Sequence, residues 1–355
     1  MLNSVGPQPQ GKPAVSVIIP AYMAASFIDQ TLESVFSQTF RDFEVVIVND
    51  GSPDTEAFEQ TLQPYSGRIV YLKQENSGPS AARNLGIRRA CGEYIAFLDA
   101  DDLWFPEYLN SQMKLLQQEQ PLDLVYADVL QYYSSIRDGI PYSENHPSAG
   151  PINFESLITE VCQIPTSAVI ARRQAVLEAG LFDEQLWRSE DYDLWLRMAY
   201  RGRRFAYQPK VLGANRVRLD GLASQSIKML EGMLRVLEKL QTELPVTPEA
   251  RALLRREAMK TRAQMDLERG KVYLQQGRAK EAQGALLSAN AFFHRRKLTF
   301  FLLLLRVSPT LAESVSRLWG KLVIYLWRFK NYRRRNWPVS WVPGSSALDS
   351  CTPRS

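Results

Sequence analysis

Five short apolar runs, most of them β-branched, recur through the first 128 residues. VSVIIP (15–20) ends on proline, and FEVVIVND (43–50) runs into Gly51-Ser52. RIVYLKQ (68–74), EYIAFLD (93–99) and DLVYAD (123–128) complete the set. Segments with helical spacing lie between them. Ile28, Leu32, Val35 and Phe36 share one face. A second helix is expected over about 80–90, stopped by Gly92, and another from Pro106. Strands that are apolar throughout must be covered on both faces. Alternating with amphipathic helices, they predict an α/β domain built on a mainly parallel, Rossmann-like sheet.

In such sheets ligands bind beyond the carboxyl ends of the strands. The loops after residues 20, 50 and 99 should therefore meet on one rim. They carry Tyr22, Asp50-Gly51-Ser52 and Asp99-Ala100-Asp101-Asp102. Three acids in four residues repel one another unless a cation sits among them. A hard divalent ion takes oxygen ligands, and a diphosphate supplies more. The bland alternative is a solvated loop, with Asp102 helping to cap the next helix. A second acidic pair, Glu190-Asp191, follows Ser189 at a helix start. Here Ser189 is a candidate N-cap, and the acids complement the helix dipole. A carboxylate held there can also take a proton from a hydroxyl. Both readings stay open. In SGPSAARN (77–84), Arg83 is a candidate contact to phosphate or ribose oxygens, or a surface arginine.

Taken in order, SVIIPAYMAASFIDQTLESVFSQTF, VVIVNDGSPD, NSGPSAARNLGI, GEYIAFLDADDLW and SEDYDLWLRMA resemble the inverting family 2 glycosyltransferases of the GT-A fold. The resemblance covers residues 14–225. It implies a transferase moving a hexosyl or N-acetylhexosaminyl group from a nucleotide sugar, with UDP the expected nucleotide, to a saccharide or lipid-linked acceptor. It implies cell-surface polysaccharide or glycoconjugate synthesis as the setting. By position, Pro20, Ala21 and Tyr22 would line the nucleotide pocket, and Asp50 would bond the base with Gly51 and Ser52 beside it. Arg83 would lie near the nucleotide and Asp99 by the ribose or metal shell. Asp101 aligns with the metal ligand of the DxD motif, for Mn or Mg. Asp191 would be the catalytic base, supported by Glu190. Many relatives carry a histidine further on, in an Arg-x-His pattern. This chain reads Asn215-Arg216-Val217-Arg218, so no extra metal ligand is expected there, and Arg218 is a candidate to neutralise diphosphate charge.

Two alternatives belong to other classes. Sugar-phosphate nucleotidyltransferases open with a glycine-rich, basic loop after the first strand, whereas AYMAAS here has neither glycine nor a basic residue. A catalytically inactive scaffold using the helical tail would be expected to have lost acids from its motifs; all are present.

Beyond residue 225 the pattern turns helical. Leu254, Ala258, Met265 and Val272 share a face, Gly277 turns the chain, and Ala282, Leu286, Ala289 and Phe293 share another, like one tetratricopeptide hairpin. Leu311, Val315, Leu318, Leu322, Tyr325 and Phe329 form a further apolar stripe. The expected organisation is a flexible arm (1–13), a GT-A domain (14–225), a helical extension (226–335) and a flexible tail (336–355). The chain is net +5, yet residues 295–335 hold eleven Lys or Arg against Glu313 alone. The basic character therefore belongs to that segment. A basic, Trp-bearing amphipathic helix over 311–335 suits an anionic membrane surface as well as it suits packing on the protein. Nucleic acid is the weaker match, for the segment holds no recognised binding module. Three scattered cysteines match no metal spacing and read as free thiols of a reducing compartment. The N-terminus lacks signal-peptide features, and the longest apolar run, Phe300–Leu305, is far below the roughly 20 residues of a spanning helix. The expected location is cytoplasmic, with peripheral contact at the inner face of the plasma membrane.

Overall fold

A computed structural model describes residues 11–118, 121–146, 148–218 and 226–307. These divide into two compact units, the first ending at Val217 and the second starting at Arg218.

The first unit begins with β1 (Val15–Ala21), α1 (Ile28–Phe36), β2 (Phe43–Asp50), α2 (Thr55–Leu62), β3 (Val70–Gln74), α3 (Gly78–Arg89) and β4 (Tyr94–Phe97). It continues with β5 (Leu103–Trp104), α4 (Tyr108–Leu116), β6 (Leu124–Tyr132), β7 (Ile140–Pro141), α5 (Phe154–Ile158), β8 (Val169–Arg172), α6 (Arg173–Glu178), α7 (Glu190–Tyr200) and β9 (Phe205–Arg216). The sheet order is β3-β2-β1-β4-β8-β6-β9-β5, with β7 beside β6. Strands β1 to β4 pair in parallel, and β6 pairs with β9 in parallel. Between them β8 runs antiparallel to both β4 and β6. All five strands expected from apolar runs thus point the same way, and one reversed strand is inserted among them.

The order switches at β1. The chain winds outward through β2 and β3, then returns to place β4 on the other side. The carboxyl ends of β1 and β4 flank the resulting crevice, where α/β sheets bind ligands. Burial explains the rigidity of this edge. Ile18, Ile19 and Ile47 are fully buried, and each such side chain contributes about 1.5–3 kcal/mol over exposure. On α1, Ile28, Leu32 and Val35 share one core with Ile19 and Ile47.

The segment 129–165 is partly ordered. Strand β6 extends to Tyr132, and α5 is closed by a capping box between Asn153 and Ser156. The long strand β9 was not anticipated. Gln208-Pro209-Lys210 breaks its alternation, and its register shifts against β6 around Asp128.

The second unit comprises α8 (Ser226–Glu243), α9 (Pro248–Gln275), α10 (Ala279–Phe293) and α11 (Arg296–Val307). Helices α9 and α10 form a hairpin, turned at Gly277 with φ +71°. Leu254, Ala258, Met265, Ala282, Leu286 and Ala289 are buried as expected, whereas Val272 is exposed and Phe293 only partly covered. Close approach explains Gly270: a Cβ there would stand 2.6 Å from Leu286 Cγ. Among the described residues no helix is long and apolar enough to cross a membrane. The apolar stripe from Leu311 to Phe329, the tail and residues 1–10 of the arm lie outside the described residues.

Candidate active site

The loops that follow β1, β2 and β3 are tied together by hydrogen bonds. The Met23 amide donates to Ser52 Oγ at 2.7 Å, and the Ala25 amide donates to Asp54 Oδ2 at 3.0 Å. Asp50, buried at the end of β2, accepts from Gln74 Nε2 (2.7 Å), the Ser77 amide (2.9 Å) and the Gly78 amide (2.9 Å). Gly51 takes φ +62°, and a Cβ there would lie 2.5 Å from the Asn76 nitrogen. Only glycine lets the two loops approach so closely in that conformation. Pro20 and Ala21 end β1, and Tyr22 projects from it half exposed. Beside these loops, Trp187 lies against Gly78, its ring carbons 3.4 Å from where a Cβ would stand.

The acidic loop after β4 is anchored from several sides. Thr31 Oγ1 donates to the carbonyls of Ala100 (2.9 Å) and Asp102 (3.0 Å). The Asp99 amide donates to Ser167 Oγ at 3.1 Å. Asp102 is buried, and its Oδ1 accepts from the Arg216 amide at 2.8 Å. It therefore does not cap α4, whose N-cap position is held by Glu107 with no side-chain bond. Burial pushes the Asp102 carboxyl well up, and Asp101 and Asp99 push it further. Asp99 keeps 39% of its side chain exposed. The Arg216 guanidinium reaches the Asp101 carbonyl (3.4 Å) and Gln30 Oε1 (3.1 Å), and lies over the rings of Phe27 and Tyr132.

Arg83 joins the two acidic motifs. From α3 its Nη2 donates to Asp99 Oδ1 at 2.8 Å and its Nη1 to Glu190 Oε1 at 2.6 Å. Its side chain is only 6% exposed. Burial alone would lower the guanidinium pKa, yet Asp99 and Glu190 raise it overall, so the cation is secure. Burial raises Glu190; Arg83 opposes this and Asp191 adds to it. The sequence left Arg83 as either a ligand contact or a surface residue. The structure makes it a buried bridge between the two acidic motifs, its bond to Glu190 spanning 107 positions.

Asp191 follows on the first turn of α7, where the dipole favours an anion. Its Oδ2 accepts from Thr166 Oγ1 and its Oδ1 from the Tyr192 amide at 2.7 Å. Ser189 does not cap this helix. It sits at φ +58° and its buried hydroxyl has no hydrogen-bond partner. The left-handed turn instead swings Glu190 towards Arg83 while Asp191 meets Thr166.

Sequence reasoning missed Thr166, Ser167 and Arg216. Because β8 runs antiparallel to β4, the turn that opens β8 lies beside the end of β4. Thr166 thereby holds Asp191 and Ser167 holds the Asp99 amide. In the Asn215–Arg218 stretch Arg218 was singled out; a cation hydrogen-bonded to the acidic loop is Arg216. Among the described residues no group of three or more His, Cys, Asp or Glu is arranged to hold a metal by itself.

Residues 16–175 match the family model "Glycosyl transferase family 2", a span that ends before Glu190 and Asp191. An uncharacterised glycosyltransferase of Rickettsia felis is 32% identical over 200 residues, covering 56% of this chain and 32% of that protein. The chain thus spans about a third of that relative's length. TarS of S. aureus, solved as residues 1–349 in complex with UDP-GlcNAc, has a TM-score of 0.55 at 19% identity, covering 86% of this chain and 91% of that one. The mannosyltransferase PcManGT of Pyrobaculum calidifontis, in complex with GDP-Man and Mn2+, has a TM-score of 0.55 at 18% identity, covering 89% and 90%. The fold is that of the GT-A transferases, with C-terminal helices. Over its first unit the chain resembles the family 2 glycosyltransferases.

Proposed function

We propose that this chain is an inverting glycosyltransferase. It transfers a sugar from a nucleoside diphospho-sugar, with UDP as the nucleotide, to a hydroxyl of a saccharide or lipid-linked acceptor. The observation that carries the reading is the Arg83 bridge. It ties the DxD strand end to the start of α7, so that Asp99 and Glu190 stand on either side of one guanidinium and Asp191 is the next residue along. The bound nucleotide sugars of TarS and PcManGT support the donor class.

In this reading Pro20, Ala21, Tyr22 and Asp50-Gly51-Ser52 form the nucleoside side of the cleft, with Arg83 and Asp99 between nucleoside and sugar. Asp50 Oδ1 and Oδ2 already accept bonds from loop 74–78, which holds the carboxylate rigid for a further donor on the base. The acceptor hydroxyl attacks the anomeric carbon from the face opposite the leaving group, and Asp191 removes its proton as the new C–O bond forms. The nucleoside diphosphate leaves with the electron pair of the broken C–O bond, and the anomeric centre inverts. Glu190 keeps Arg83 in place, and Thr166 orients Asp191.

The donor set fits a hard cation held jointly with substrate. Asp101, with Asp99 beside it, would hold Mn2+ or Mg2+, and diphosphate oxygens would complete the shell. When bound, the ion offsets the charge of the departing diphosphate. Mn2+ in PcManGT supports this.

The test is a panel of nucleotide sugars with and without Mn2+ or Mg2+, reading nucleotide release, and then transfer by Asp191→Asn. A positioned base contributes roughly 10²–10⁴-fold. Asp191→Asn should lose about that much transfer while binding donor normally. Full transfer by the variant would remove Asp191 from the role.

A further inference from the structure

Helix α11 has apolar residues on two faces. Leu302 and Leu305 point inward and join Leu274, Ala282 and Leu286 in the core of the second unit. Phe300, Leu303 and Val307 stand outward at 70%, 57% and 83% exposure. Their spacing of three and four residues makes one continuous stripe. A helix apolar on both sides needs cover on both sides, and scattered single apolar residues on a surface would not line up this way.

Charge says what the cover is. The stripe is bracketed by Arg295, Arg296 and Lys297 at one end and by Arg306 at the other, with no acid anywhere in 294–307. Arg296, Lys297 and Arg306 are exposed. A protein partner would meet both apolar and mixed polar surface. An apolar stripe set among cations alone matches acyl chains beneath a layer of anionic headgroups, with long basic side chains reaching up to the phosphates. Among the described residues no helix is long and apolar enough to cross a membrane, and a two-faced basic helix is suited to lying in the interface.

We propose that the outward face of α11 docks this protein on an anionic phospholipid surface, with Phe300, Leu303 and Val307 entering the headgroup boundary and Arg296, Lys297 and Arg306 pairing with phosphates. This surface is distinct from the 311–335 stripe and does not depend on the transferase reading. It would set the enzyme at the membrane whatever its acceptor.

The full chain is mixed with vesicles of phosphatidylcholine alone or of phosphatidylcholine with phosphatidylglycerol, and bound protein is separated by flotation. Binding to the anionic vesicles and not to the neutral ones is expected, falling as salt rises. The triple variant Phe300→Ser, Leu303→Ser, Val307→Ser should weaken anionic binding by about tenfold or more. A second variant, Arg296→Gln, Lys297→Gln, Arg306→Gln, leaves every apolar contact intact. It should weaken binding by about fivefold per charge removed. Nucleotide-sugar hydrolysis without vesicles should be unchanged in both. Undiminished anionic binding by either variant would overturn the proposal, as would equal binding to neutral vesicles. So would concentration-dependent self-association that the triple variant abolishes while the wild type leaves vesicles unbound.

Discussion

The two units use charge in opposite ways. In the first, the ion pairs around the acidic motifs are buried and shared, beside exposed pairs such as Arg88 with Glu184. Arg83 serves Asp99 and Glu190, and Arg197 pairs with Asp193, whose side chain is fully buried. In the second, most ion pairs are exposed. Arg262 meets Glu238 at 59% and 44% side-chain exposure, and Lys271 with Glu268 and Arg278 with Glu281 are short-range helix pairs. Buried pairs give little net stability, because desolvation offsets much of the attraction, but they fix orientation. Exposed pairs give tenths of a kcal/mol and mostly keep a helix surface soluble. The first unit therefore uses its buried charges to hold loops at a site, and the second uses its charges to face its surroundings.

The largest test of this contrast is Arg83→Met. It leaves Asp99 and Glu190 facing each other without their cation, and removing one member of a buried network costs about 3–5 kcal/mol. Urea unfolding of the variant should show a loss of that order. A loss below about 1 kcal/mol, the scale of an exposed pair, would erase the distinction between the units.

A smaller effect should appear in the pH dependence. The folded-state pKa of Glu190 is raised by burial, with Asp191 adding and Arg83 opposing. A raised carboxyl binds its proton more tightly in the folded state than in the unfolded one. Its favourable contribution is present below the unfolded value and is lost as pH rises through the folded value. Glu190→Gln cannot titrate, so its stability should fall less than that of the wild type between about pH 4.5 and neutrality. Denaturant midpoints across that range measure the slope, and a steeper fall in the variant would contradict the shift. At the small end stands Arg262→Ala, which should move stability by no more than about 0.5 kcal/mol. A change of several kcal/mol would mean that this exposed pair organises the helical unit after all.

Much of the fold was legible because periodicity is local. FEVVIVND coincides with β2, VSVIIP and EYIAFLD match β1 and β4 to within two residues, and DLVYAD marks the first half of the longer β6. Strand β9 was not legible, since Gln208-Pro209-Lys210 interrupts the alternation that announces a strand. The site divided in the same way. Acids after β4 and at the start of α7 could be found by type and spacing. Ser189 looked like a cap, yet the backbone turns left-handed there, and capping requires an extended conformation that no composition specifies.

By itself the sequence determined that five apolar segments are strands, that acids gather at strand and helix ends, and that basic residues crowd beyond position 295. Those follow from interactions between near neighbours in the chain. Only the tertiary structure decided that Arg83 spends its charge on Asp99 and Glu190, that Thr166 holds Asp191, and that Arg216 closes on the acidic loop. The physical reason is topological. The winding of the chain around the sheet brings together side chains separated by up to 186 positions. In a buried, weakly screened setting such contacts, once formed, fix which group faces the substrate.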